Sequence, residues 1–260
     1  MRAYNTTQKI ILACGALILI GVLSWGVAYL RKPIALVSTS SEQPTTTPPA
    51  DNLPPKNTFP LYKGEPVQTL NPNAEFLKQV PPDVFEKSKM ELVELSSKLQ
   101  KQPNSPSDWF RVAFIKHFYG DEIGTRDAYL YLIAIKPDDT ISIYNLAVLY
   151  GYYLKDSKEA ITYFERALKL DPNNESFYLG LADFYRDAEK NYVMVEKILL
   201  LGITVLPNSV NLMSALAQNY VLMSRFDLAI VSYEKLLTVG GITPEYRESV
   251  MAELNRLRAK

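Results

Sequence analysis

Histidine and cysteine are almost missing from this chain of 260 residues, which contains one of each. A single cysteine has no partner for a disulfide within the chain, and one histidine with one cysteine cannot assemble a His/Cys zinc site. The sequence also lacks a glycine-rich phosphate loop and the HExxH and GxSxG motifs of metalloproteases and hydrolases. We therefore expect no enzyme activity, no cofactor and no metal.

A net charge is missing as well, because 28 Lys and Arg residues balance 28 Asp and Glu residues at pH 7. Proteins that bind nucleic acid usually carry an excess of basic side chains that attracts the phosphates. No such excess exists here, so we expect no nucleic-acid partner.

Charged residues are absent from one long run near the N-terminus. Residues 10–30 (IILACGALILIGVLSWGVAYL) are 21 positions without a charge, enough for a helix to cross the hydrocarbon core of a bilayer, which is about 30 Å thick. Lys9 borders one end of the run, and Arg31 and Lys32 border the other. We predict a single-pass transmembrane helix at 10–30 that follows a short cytoplasmic N-terminus at residues 1–9.

A cleaved signal peptide is the alternative interpretation of this run. The apolar region of a signal peptide has about 7 to 15 residues, and Gly26-Val27-Ala28 offers a small-x-small cleavage site. The greater length of the run and the basic residues directly after it favour a retained anchor. The N-terminal flank is slightly more basic than the other flank, so we predict that the bulk of the chain lies outside the cytoplasm.

Proline is unevenly distributed, since eleven of the seventeen prolines fall in residues 33–82. This part of the chain has no helical periodicity and is rich in Ser and Thr near its start. We predict residues 31–82 to be a Pro/Ser/Thr-rich disordered linker. Phe59, Leu61 and Tyr62 interrupt its polar character, and they either pack back on the folded domain or form a short docking motif; we favour packing.

Four later prolines recur at a regular interval. Pro103, Pro137, Pro172 and Pro207 are spaced by 34, 35 and 35 residues, and two small polar residues follow each of them. Such a period indicates a repeat architecture. Counted from the position after each polar pair, the four repeats are residues 106–139, 140–174, 175–209 and 210–243.

Small and aromatic residues recur at fixed positions within these repeats. Position 8 is Ala113, Ala147, Ala182 and Ala217, while position 11 is Lys116, Tyr150, Tyr185 and Tyr220. A small residue lets two helix backbones approach, and an aromatic residue fills the space beside them. The pattern predicts an antiparallel helix pair that is repeated as a stack.

Period and pattern resemble the tetratricopeptide repeat family over residues 83–260, with the best agreement at residues 144–174. Trp109 occupies a place where that family often has Trp, whereas Thr125 and Leu132 replace the small residues expected in the second helix of repeat 1. The resemblance implies an all-α fold, an α-solenoid of helix pairs, here preceded by the transmembrane helix and the Pro-rich linker. We expect single capping helices at 83–101 and 244–258, which makes ten helices in this domain.

The resemblance also implies that a protein or peptide partner binds along the concave face formed by the first helix of each pair. The candidate groove residues are Phe110, Arg111, Phe114 and His117 in repeat 1, Tyr144, Asn145, Val148 and Tyr152 in repeat 2, Asp183 and Arg186 in repeat 3, and Gln218 in repeat 4. The alternative is that several of these side chains fill the seam between repeats. His117 fits either a groove contact or a helix residue without a role.

These observations lead us to expect a membrane-anchored protein–protein interaction scaffold. Its layout is similar to that of bacterial envelope tetratricopeptide proteins, which act in assembly, secretion or maturation. Two alternatives use the same architecture: a cytosol-facing membrane receptor for peptides or chaperones, and a structural, self-assembling subunit.

Overall fold

The computed structural model describes residues 59–260. The predicted N-terminus at 1–9, the predicted transmembrane helix at 10–30 and residues 31–58 of the predicted linker lie outside the described residues. Residues 59–260 form α-helices and one π-helical segment and contain no strand. Within this range no helix has both the length and the apolar character needed to cross a bilayer. The chain divides into two compact units, one that ends at Pro137 and one that comprises Asp138–Lys260.

The N-terminal unit contains four described helices: α1 (Ala74–Leu77), α2 (Pro82–Lys101), α3 (Pro106–Phe118) and α4 (Glu122–Ile135). α3 packs along α4, and α2 packs against α3. The core of this unit comes from one face of each of the three longer helices, and it includes Leu92, Leu95, Trp109, Val112, Ala113, Ala128 and Leu132.

The C-terminal unit contains α5 (Thr140–Val148), the π-helix π1 (Leu149–Leu154), α6 (Ser157–Leu170), α7 (Glu175–Asp187), α8 (Tyr192–Val205), α9 (Val210–Leu222), α10 (Phe226–Leu237) and α11 (Pro244–Arg258). α5 pairs with α6, α7 with α8 and α9 with α10, while α11 packs on α10. One apolar core runs through these pairs and includes Ala147, Phe164, Ala182, Leu199, Ala217 and Leu254.

The helix pairs begin at Pro106, Thr140, Glu175 and Val210. These are the residues at which the sequence analysis starts the four repeats. The prediction of an all-helical fold built from repeated helix pairs is therefore confirmed for the described residues. Proline spacing located the repeats because Pro103, Pro137, Pro172 and Pro207 each lie in a turn directly before a helix pair.

The same turn joins the two helices within every repeat. A residue with positive φ comes directly before the N-cap of the second helix: Gly120 (72°), Lys155 (59°), Lys190 (52°) and Ser224 (57°). The backbone N–H of the N-cap then donates to the carbonyl of repeat position 11, as in the bond of 2.9 Å from Asp121 to Lys116. Asp121, Asp156 and Asn191 also cap the second helix with their side chains, each at 3.1 Å from a backbone N–H three residues on.

Repeats 2 and 3 carry one more residue before their second helix than repeats 1 and 4. From the repeat spacing we predict that this residue lies in the turn of both repeats. In repeat 3 it does lie in the turn, between Asp187 and Tyr192, but in repeat 2 the first helix absorbs it by changing from α5 to π1. A π-helix is a common way to accommodate an insertion without breaking a helix. The first helix of repeat 2 therefore changes from α-helical to π-helical in the segment that contains Tyr152.

The prediction of a disordered linker is wrong for residues 62–82, which are ordered. The segment packs on the N-terminal unit and contains the short helix α1. Tyr62 packs back on the unit as favoured, whereas Leu61 is 80% exposed. Prolines and missing periodicity indicate an irregular backbone, and residues 62–73 are irregular. The segment is nevertheless docked, because Tyr62 and Val67 supply apolar surface that packs on the helices.

Candidate functional site

Two first helices of the C-terminal unit bring several predicted groove residues onto one surface. Tyr144 and Tyr152 lie on α5 and π1, and Asp183, Arg186 and Asp187 lie on α7. Residues four apart share a helix face, which places Asp183 and Asp187 together. We call the surface made by these five residues the α5–α7 face.

Tyr144 fills the seam between repeats 2 and 3. Its ring stacks on Phe177 with centroids 5.0 Å apart and meets the edge of Phe164 at 5.5 Å. A Cβ atom on Gly180 would clash with the Tyr144 hydroxyl, so the glycine makes room for the ring. Burial, with a smaller contribution from the Asp183 carboxylate, raises the pKa of Tyr144 to about 12. The Tyr144 ring therefore packs between repeats 2 and 3, which is the arrangement that the seam alternative describes.

Tyr152 is half-buried and lies at the border of this seam. Its ring contacts the edge of Phe184 at a centroid distance of 5.8 Å. Burial raises the pKa of Tyr152, and the carboxylates of Asp187 and Asp183 raise it further. Tyr152 thus combines a packed ring with a partly exposed phenol close to negative charge.

Arg186 joins the two aspartates of α7. Its guanidinium contacts the Asp183 carboxylate at 2.7 Å and donates two hydrogen bonds to Asp187, at 2.8 and 2.9 Å. The hydrogen bonds from Arg186 hold the pKa of Asp187 below its usual range. Burial raises the pKa of Asp183, and the Arg186 charge only partly opposes this effect. Two carboxylates share one cation, so the trio carries one net negative charge when ionised.

The remaining candidates of the C-terminal unit contribute less to this surface. Val148 packs against the core, and Asn145 is partly buried. Gln218, on α9, donates from Nε2 to the Ser214 hydroxyl at 3.1 Å, and Tyr246 of α11 contacts the same hydroxyl at 2.8 Å. Gln218 is thereby tied to the C-terminal helices of the unit.

The candidates of the N-terminal unit are engaged by their neighbours within that unit. Arg111 donates two hydrogen bonds to Glu91 of α2, at 2.6 and 2.8 Å, and its guanidinium lies 5.2 Å from the Phe114 ring centroid. These bonds hold the pKa of Glu91 below its usual range. Phe110 meets the edge of Tyr129 at 6.1 Å. Arg111 therefore serves the contact between α2 and α3.

His117 faces the start of α4. Its Nδ1 atom lies 3.5 Å from Oε2 of Glu122, and both side chains are about three-quarters buried. The position fits a contact within the helix pair better than a groove contact.

A buried ion pair in repeat 1 was missed by the sequence analysis. Lys116 and Asp121 are 0% and 2% exposed, and their Nζ and Oδ2 atoms are 3.0 Å apart. The signal was a lysine at repeat position 11, where the other three repeats have tyrosine. Within residues 59–260 we find no cluster of His, Cys, Asp or Glu side chains that could hold a metal ion.

The four helix pairs place this chain in the class of proteins built from repeated helix pairs. One segment indicates the kind of repeat. Residues 141–174 match the tetratricopeptide repeat family. This match covers repeat 2. No curated protein matches the chain.

Several solved structures are similar in fold at low sequence identity. The crystal structure of MamA is 15% identical, with 61% of this chain and 87% of that chain covered and a TM-score of 0.48. TTC0263, a thermophilic TPR protein of Thermus thermophilus, is 16% identical, with 72% and 96% covered and a TM-score of 0.43. Pseudomonas aeruginosa pilF is 15% identical, with 71% and 83% covered and a TM-score of 0.45.

Proposed function

We propose that the protein is a protein–protein interaction scaffold that binds a peptide segment of its partner on the α5–α7 face. The observation that carries the proposal is the tetratricopeptide repeat at residues 141–174, whose first helix supplies Tyr152 beside the charged trio of α7. Repeats of this kind form surfaces that bind other proteins. The matched family is a repeat family and gives no indication of an enzyme.

Tyr152 provides the anchor of this surface. A tyrosine ring offers a large contact area with little side-chain entropy to lose, and it concentrates binding energy when it is held rigidly. The contact with Phe184 holds the ring. Arg186 and the two aspartates are partly exposed beside it and supply polar partners for a bound backbone.

A crosslinking pull-down from the protein's own membranes tests this proposal. We expect Tyr152→Ala to lose a crosslinked partner that wild type captures, since an anchor residue contributes about 2 kcal/mol or more to binding. Lys158→Ala, at an exposed position on α6, is the matched control and should keep it. Thermal unfolding of both variants separates lost binding from lost folding. If a folded Tyr152→Ala variant captures the same partners as wild type, the α5–α7 face is not the binding site.

Membrane anchoring is the second part of the proposal. The uncharged run at 10–30 and its basic flanks support a single-pass anchor, with the repeats on the extracytoplasmic side and a role in the assembly, secretion or maturation of a bacterial envelope. Protease added to spheroplasts should digest the repeats. Repeats that survive until the inner membrane is permeabilised would place them in the cytoplasm, as the receptor alternative requires.

A further inference from the structure

An irregular segment before the repeats lies along one edge of the helix pair α3–α4. We call residues 62–73 the strap. At its start, the Tyr62 ring lies against two aromatic rings of the pair, Trp109 at a centroid distance of 4.6 Å and Tyr131 at 5.4 Å. The Tyr62 hydroxyl donates to the Glu65 carbonyl at 2.7 Å, which fixes the first turn of the strap. Val67 is buried further along.

Side chains of α3 and α4 bind the backbone of the strap. The Glu65 N–H donates to Asp127 at 3.0 Å, and the Asn71 N–H donates to Asp121 at 3.2 Å. The Lys116 ammonium donates to the Thr69 carbonyl. The buried pair of Lys116 and Asp121 therefore forms hydrogen bonds with both a carbonyl group and an N–H group of the strap backbone.

Two glycines show how closely the strap and the helix pair fit, and a third makes room for Lys116 within the pair. A Cβ on Gly64 would lie 2.5 Å from Cβ of Asp127, and one on Gly120 would lie 2.8 Å from Cβ of Asn73. Gly124 leaves space for the Lys116 ammonium, which a Cβ would approach to 2.6 Å. The glycines thus belong to both partners of the contact, one in the strap and two in the helix pair.

The contact has the organisation of a peptide in a binding site. One aromatic side chain occupies a slot, the backbone is bound by side chains of a helix pair, and most other strap residues remain partly or fully exposed. Pro66 and Pro72 restrict the strap backbone, which lowers the entropy lost on docking. The helix pair repeats the architecture of the other three pairs, none of which has Lys at position 11.

We propose that the α3–α4 edge is a peptide-binding site that this chain fills with its own residues 62–73. Its ligand is a non-helical peptide with bends and turns that carries a tyrosine anchor, a glycine two residues later and an apolar residue five positions after the tyrosine. The site is separate from the α5–α7 face. A covalently attached ligand has an effective concentration in the millimolar range, so the site of the intact chain is closed to the same peptide added from outside.

A labelled peptide of residues 59–80 tests the site by fluorescence anisotropy on the full chain in detergent. Wild type should show no detectable binding of the peptide. The Tyr62→Ala variant should bind it with an affinity at least about tenfold higher than that of wild type, because its own strap has lost the anchor. Leu61→Ala, which changes an exposed neighbour, is the matched control and should behave as wild type. A peptide with alanine in place of the tyrosine should not bind any of them.

Equal binding to wild type and Tyr62→Ala, or no binding to a Tyr62→Ala variant whose helix content is unchanged, would overturn the proposal. Should Tyr62→Ala lose helix content, a protease site introduced after Lys78 replaces it. The severed N-terminal fragment should then stay bound and be released by excess peptide. A fragment that dissociates at once, or that excess peptide never displaces, would contradict a separable ligand.

Discussion

At the scale of single residues, a left-handed backbone angle recurs before the second helix of each repeat. Only repeat 1 has glycine there, at Gly120; the others have Lys155, Lys190 and Ser224. A residue with a Cβ atom in this region costs about 1–2 kcal/mol relative to the right-handed conformation. The repeats accept this cost because the turn lets the N-cap bond to the carbonyl of position 11.

Lys155→Gly should therefore raise the free energy of unfolding by about 0.5–1 kcal/mol. The strain energy that the substitution relieves in the folded state exceeds the free-energy cost of the extra backbone freedom that glycine gives the unfolded chain. Chemical denaturation followed by circular dichroism measures the change. Glu165→Gly, at an exposed position within α6, is the control and should lower stability by about 1 kcal/mol. A loss of stability in both variants would mean that the turn stores no strain at Lys155.

The charged trio of α7 gives a prediction about acid titration. Arg186 holds the pKa of Asp187 below its usual range, so its stabilising effect is present above the usual Asp pKa and is lost as pH falls through the lowered value. Arg186→Met should remove this pH dependence and raise the pKa of both Asp187 and Asp183, because a neighbouring cation favours the ionised carboxylate. Carboxyl carbon chemical shifts measured by NMR against pH report both values.

Arg256→Met is the matched control for this titration. Arg256 holds the pKa of Glu253 below its usual range on α11. The control should raise the pKa of Glu253 and leave Asp183 and Asp187 as in wild type. If Arg186→Met leaves both aspartates unchanged, the guanidinium does not bridge them in solution.

At the scale of helices, an alanine at repeat position 8 lets the two helices of each pair approach. Ala147, Ala182 and Ala217 are all buried. Replacing any of them with Leu should lower the free energy of unfolding by about 1–3 kcal/mol, since the contact has no spare volume. Thermal unfolding of the purified chain tests this. Ala252→Leu, on the exposed side of α11, should change stability by no more than about 0.5 kcal/mol.

Helix positions could be predicted from the sequence because local signals determine them. Proline spacing located the pairs, and the capping helix predicted at 244–258 is α11, where the Thr243 hydroxyl accepts from the Tyr246 N–H at 3.2 Å. The π-helix could not be predicted in this way. An extra residue has the same spacing whether it lies in a helix or in a turn, and the hydrogen bonds that decide between them are not encoded in the period.

The candidate site was predictable only in part, for a related reason. The spacing of Tyr144 and Tyr152 correctly puts both on one helix, but the space that Tyr144 fills is opened by Gly180, in the next repeat. Asp187 was missed because a carboxylate next to Arg186 in sequence also fits an exposed helix end. Contacts between distant parts of the chain thus decided which candidates form the surface.

At the scale of the whole molecule, the strap moves the folded boundary from residue 83 to residue 62. A chain that begins at residue 83 should unfold more readily than one that begins at residue 59, by about 2–5 kcal/mol. It leaves Trp109 and Tyr131 uncovered and takes a hydrogen-bond acceptor from the buried Lys116. Trp109 is the sole tryptophan of both chains, so its fluorescence reports the N-terminal unit. Equal midpoints would show that the strap adds no stability.

The docked strap also limits how far the repeats can travel from the bilayer that residues 10–30 are proposed to span. Residues 31–61 are 31 peptide units, and at about 3.5 Å each they reach no more than about 110 Å in any conformation. Release of the strap adds residues 62–73 and extends this limit to about 150 Å. A bound strap therefore keeps the repeats closer to the membrane than a released strap would allow. Undocking would let the same chain reach partners about 40 Å further from the membrane.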